Sequence, residues 1–199
     1  MKTNNYNDYR IKSLENDSKT SKALAAISGA TATLATAVTI GNLTIGNDLI
    51  ALQNLGTTVA MAGYVIGYLN KARLNNKEVT RLEEIKDKPD RPEDRITELK
   101  NTITQTKNSL AMSTTAAVGF GISTMANIGL LGDGYYSAVG AMLITGTLSV
   151  LDVLLSFQHA KKLKETKARV SLLEDLDEAS KKPIPELIET KEDEKRLLK

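Results

Sequence analysis

The sequence predicts an all-α fold: a four-span helical membrane protein made of two tandem two-helix transmembrane hairpins with cytoplasmic helical stems. Three observations predict it. Four long stretches of the chain carry no charged residue. Every Lys and Arg lies outside those stretches. The opening of the first half of the chain is echoed at the start of the second.

The bulk composition hides this pattern. Mean hydropathy is −0.21, a value ordinary for a soluble protein. Yet the run between Lys22 and Asp48 holds 25 uncharged residues. Leu49 to Asn70 is a second such run, Asn108 to Gly132 a third, and Gly134 to Leu151 a fourth that resumes after Asp152 as far as Gln158. A helix of about 20 residues crosses a bilayer core. A soluble four-helix bundle is the competing reading, and it should place Lys or Glu on the wet face of each helix. These runs place Thr, Ser, Gly, Asn and Gln there instead, residues accepted at helix contacts in lipid.

The elements follow in order. The first span, "ALAAISGATATLATAVTIGNLTI", is mostly Ala, Thr and Gly. It is weakly apolar and is expected to insert together with the second span. A signal peptide is the alternative, opposed by its polar lead of 22 residues. The connector around Gly46-Asn47-Asp48 is a tight reversal. The second span continues into a polar helix. "DKPDRP" is the hinge, and Asp90 with Glu93 forms an acidic capping box around Pro92. Ile96, Leu99 and Ile103 share a helical face that runs without a breaker into the third span, so residues 91–131 read as one helix. Gly132 and Gly134 flank Asp133 in the second reversal. The fourth span, "AVGAMLITGTLSVLDVLLSF", is the most apolar.

Basic residues accumulate on the cytoplasmic side of membranes. Of the 26 Lys and Arg, 5 fall in residues 1–22, 10 in 71–107 and 11 in 161–199. Both termini and the central connector are therefore assigned to the cytoplasm, and the expected location is the cell (plasma) membrane. "RIKSL" from Arg10 matches "RITEL" from Arg95, and "VTRLEEI" from Val79 matches "VSLLEDL" from Val170. Ala72, Val79 and Leu82 recur as Leu163, Val170 and Leu173, an apolar seam in each stem. The chain divides into a first unit over 1–88, its repeat over 89–180, and a charged tail over 181–199. Each unit holds an even number of spans, so a pseudo-twofold axis along the membrane normal is expected.

The net charge of +2 does not point to nucleic acid. There is no Cys and one His, so no metal site is expected. No P-loop, nucleophile elbow or dinucleotide fingerprint occurs, so neither a cofactor nor an enzyme is expected. What stands out is small residues at helical spacing. Gly29, Thr33, Ala37 and Gly41 form one stripe; Gly56, Ala60, Gly63 and Gly67 a second; Thr115, Gly119, Ser123 and Asn127 a third. Such stripes let helix backbones approach. They are read as packing within the chain, with a subunit interface or a pore lining as alternatives.

Asp152 is the one charge inside a span, with His159 seven residues on along the same face. An intramembrane carboxylate is a candidate ion or proton site. The plainer reading is an Asp near the interface paired with a Lys such as Lys162. The expected function is a non-enzymatic membrane-embedded assembly or regulatory component, acting with the lipid bilayer and a homo-oligomeric or membrane partner. A pore or small ion channel or transporter is the alternative.

Overall fold

A computed structural model describes residues 3–85 and 92–181 of the chain. Those residues form four long helices: α1 (Thr3–Thr44), α2 (Asp48–Ile85), α3 (Pro92–Gly132) and α4 (Ala138–Lys181). The fold is all-helical, and each helix is long and apolar enough to cross a membrane by length and composition. At 38 to 44 residues the helices exceed the uncharged runs they contain. Each therefore has an apolar length and a charged extension. The predicted continuity of α3 holds from Pro92. Asp90 and most of the hinge lie outside the described residues, as does nearly all of the charged tail.

Both short connections form the same way. Gly46 (φ 78°) and Gly134 (φ 85°) adopt left-handed backbone. At α1, Asn47 N–H donates to the Asn42 carbonyl and Gly46 N–H to Leu43. At α3, Tyr135 N–H donates to Leu130 and Gly134 N–H to Leu131. This is the double hydrogen bond of the Schellman motif, which satisfies end carbonyls and needs a residue without Cβ at the left-handed position.

The helices lie in a row. α1 packs on α2, α2 on α3 and α3 on α4. Among the described residues α4 does not pack on α1, so the bundle is not closed. This corrects the expected twofold relation. A twofold axis exchanging the two units would turn the α2–α3 contact into an equivalent α4–α1 contact, and that contact is missing.

Side chains are distributed inside out. The small core cluster is Ala60, Ala116 and Phe120, with Met61, Tyr64 and Leu148 against it. Ser113, Ser123, Asn75 and Asn127 are among the most deeply buried side chains. Large apolar residues such as Leu34, Met125, Ile144 and Phe157 face outward. In water such a surface far exceeds what monomeric proteins leave exposed. The Thr hydroxyls of α1 are satisfied along the helix: Thr31, Thr33, Thr36 and Thr39 each donate to the carbonyl four residues earlier. That self-sufficiency suits a helix side with no water available.

Candidate functional site

Among the glycines of the described residues, the closest approach to a neighbouring backbone is in the seam between α2 and α3. A Cβ at Gly56 would sit 2.5 Å from the Gly119 carbonyl oxygen and 2.6 Å from the Ser123 backbone nitrogen. A Cβ at Gly119 would collide with the Ala60 backbone. These helices thus touch backbone to backbone, as small stripes permit. Ser123 Oγ donates to the Gln53 carbonyl at 2.6 Å, and its oxygen lies 3.2 Å from Thr57 Oγ1. Asn108 Nδ2 donates to the Gly67 carbonyl at 2.8 Å. Further along, Gly63 meets Thr115, and Gly67 meets Met112 as far back as its Cβ.

The predicted second and third stripes therefore meet each other within the chain. The first does not behave this way. Gly29 is in ordinary contact with Val65 at 3.8 Å, Thr33 is exposed, and Gly41 has nothing within 4 Å of an added Cβ. Its Thr33–Ala37–Gly41 side is an outer surface of the row.

The second feature is a polar pair between spans. Asp152 on α4 is 3% exposed. The Tyr64 hydroxyl of α2 donates to it, lying 2.8 Å from Oδ2 and 3.0 Å from Oδ1. The Tyr64 ring stacks on Tyr68 and tilts against Phe120. The expected partner, Lys162, is not used: Asp152 turns inward towards α2 rather than along its own helix towards the charged end. Among the described residues no cation pairs with it. No hydrogen bond links Asp152 to His159, so the structure does not join the two residues of the predicted ion or proton site.

The third feature, which the sequence reading missed, lies beyond the uncharged runs. Glu78 on α2 is 3% exposed. Arg81 donates to it twice, at 3.0 and 2.7 Å, Arg10 of α1 once at 3.1 Å, and Asn101 of α3 at 2.6 Å. Arg10 also bridges to Glu98 at 2.9 Å. Burial pushes the Glu78 carboxyl up, but the Arg81 guanidinium, the Asn101 amide and the Arg10 charge outweigh it and hold the group below the usual carboxylate range. One carboxylate thus fastens the charged extensions of three helices. A signal was available: Asn75, Glu78, Val79 and Leu82 lie at spacings that share a helical face, so an acid stood in the seam.

The α3–α4 contact is likewise polar. Ser113 and Ser156 hydroxyls lie 2.8 Å apart, Thr124 donates to Thr145 at 3.0 Å, and Ser149 donates to the Ala117 carbonyl at 3.0 Å. Among the described residues no group of His, Asp and Glu is arranged to hold a metal ion. In comparisons with known proteins, no family model, curated protein or solved structure matches the chain.

Proposed function

We propose that the chain is a non-enzymatic integral membrane protein of four spans, in two hairpins, serving as a membrane-embedded assembly or regulatory component. The carrying observation is the inside-out row. Glycine, serine and asparagine fill its seams, while large aliphatic side chains face outward over the uncharged lengths of all four helices. Lipid is the medium in which that arrangement costs nothing. The two turns are free of Lys and Arg, so they lie outside the cell and the charged helix ends lie in the cytoplasm of a cell-membrane protein. An unclosed row also leaves α1 and α4 available to a second copy or a membrane partner.

Single Cys substitutions test this. Those at Asn47 and Asp133 should react with impermeant reagents on intact cells, and one at Thr97 only after permeabilisation. Reaction of Thr97 in intact cells, or release of the protein by carbonate, would overturn the reading. The native mass in detergent should exceed that of the 21.6 kDa protomer. A second reading, an ion or proton pathway, is favoured by Asp152, whose carboxyl and the Tyr64 phenol would be the ligands of a passing cation.

A further inference from the structure

An open cleft of about 390 Å³ lies between α1 and α2 where the charged extensions begin. Its walls carry Lys22 from α1 and Leu69, Arg73, Asn76, Lys77 and Thr80 from α2. No carboxylate lines it. Among the described residues none of its three cations has an acidic partner, although Arg10 and Arg81 on the same two helices both do. Three like charges converging on one cleft repel each other, and an anion placed among them removes that cost.

The cleft is also prepared for an acceptor. Buried Ser18 donates to Asn76 Oδ1 at 2.7 Å, so the amide oxygen is taken and the amide nitrogen is the free end. Thr80 Oγ1 is fixed to the Asn76 carbonyl at 3.2 Å. Two ammonium groups, a guanidinium and an amide N–H pair thus supply donors with no competing negative charge, the chemistry that holds phosphate oxygens.

Position decides between a dissolved phosphate and a lipid. Lys22 immediately precedes the first uncharged run, and Arg73 lies three residues past the end of the second. Leu69 on the cleft wall is exposed, and so is Ile66, seven residues before Arg73 on the same face of α2 and towards its uncharged length. An anionic head in the cleft would have an apolar track for its chains beside it. A free anion would have no use for the track.

We propose that the α1–α2 cleft binds the phosphate headgroup of an anionic glycerophospholipid at the cytoplasmic edge of the membrane. This rests on the membrane reading above. Basic pockets at that level between helices are suited to such headgroups. A second cleft, of about 470 Å³ on α4, carries Lys161, Lys162 and Arg169 but also Glu165. With the same number of cations but an acid among them, it serves as the control.

The full chain is reconstituted into phosphatidylcholine bilayers doped with phosphatidylglycerol, and bound lipid is counted by native mass spectrometry after extraction. Phosphatidylglycerol should be retained over phosphatidylcholine. K22Q/R73Q/K77Q should weaken that preference at least about tenfold, with K161Q/K162Q/R169Q changing it less than about twofold. Single Lys22→Gln, which leaves α2 untouched, should reduce it partially and guards against a misfolded triple variant. Equal losses in both triple variants would show diffuse charge attraction and overturn the site. Displacement of the lipid by millimolar inorganic phosphate would assign the cleft to a dissolved anion instead. Failure to enter bilayers at all would sink the membrane reading, whereas entry without headgroup preference would sink only this proposal.

Discussion

The phenol of Tyr64 and the carboxyl of Asp152 stand 88 residues apart in the chain and share a hydrogen bond of 2.8 Å between α2 and α4. Only side chains bridge these two helices, since α3 holds them apart as its neighbours on either side. The contact ties the far edge of the row to its middle.

The first prediction concerns that pair. Tyr64→Phe removes the donor and leaves a buried carboxyl oxygen without a partner, which should cost about 1–3 kcal/mol. Asp152→Asn keeps an acceptor for the phenol and should cost less. The double variant should be less destabilised than the two losses added together, because the sites are coupled. Thermal unfolding in detergent measures all three. Strict additivity would mean the hydrogen bond contributes nothing to the fold.

The same residues divide the assembly reading from transport. Asp152 is nearly closed off, so Asp152→Asn should leave liposome flux unchanged from a negligible baseline. Robust conductance of the native protein that Asp152→Asn abolishes would put transport first.

A graded glycine series tests the α2–α3 seam. Gly56→Ala and Gly119→Ala drive a methyl group into backbone and should each destabilise by about 1–3 kcal/mol, the usual cost of overpacking. Gly67→Ala meets Met112 from its sulfur back to its Cβ, which moves only with the α3 backbone, and should likewise cost about 1–3 kcal/mol. Gly41→Ala meets open space and should leave the fold intact. Chemical denaturation of each variant gives the order, and a Gly41 variant as damaged as the Gly119 variant would contradict the placement of α1.

Acid should loosen the charged ends first. The folded-state pKa of Glu78 is depressed, so its stabilisation is present above the ordinary carboxylate pKa and is lost as pH falls through the lowered value. Native protein should lose protection of the amides around Glu78 and Asn101 over that acidic range. Glu78→Gln should be less stable at neutral pH, by about 1–3 kcal/mol, and flatter in its acid response. Hydrogen exchange followed across pH reads both effects; a Gln variant with an unaltered acid profile would place the proton uptake elsewhere.

Much of this architecture was legible in the residues. Uncharged runs located the apolar lengths because charge is costly there, and Gly46 and Gly134 marked the reversals because only a residue lacking Cβ relaxes at that backbone angle. The α2 and α3 stripes were visible from spacing alone. What spacing does not carry is rotation and order. Gly29, Thr33 and Gly41 have the same small-residue period as Gly63 and Gly67, yet α1 turns that side away, because the period says nothing of which neighbour a helix meets. The partner of Asp152 was hidden for the same reason: Tyr64 becomes reachable only once α3 sets the distance between α2 and α4. Glu78 does not show in the apolar pattern of its helix face, where the acid between Asn75, Val79 and Leu82 is the informative position.

A row differs from a closed ring in how it is put together. Each helix packs on the one made just before it, so a nascent chain can settle every interface as the next segment is delivered, with little searching between distant parts. Ties that skip a helix come from side chains: Arg10 of α1 reaches Glu98 of α3, and the one between α2 and α4 waits for α4. α4 brings a carboxyl that has no cationic partner among the described residues, and the phenol that receives it is already in place on α2. Delivery of α4 and closure of the Tyr64–Asp152 pair are therefore the same event.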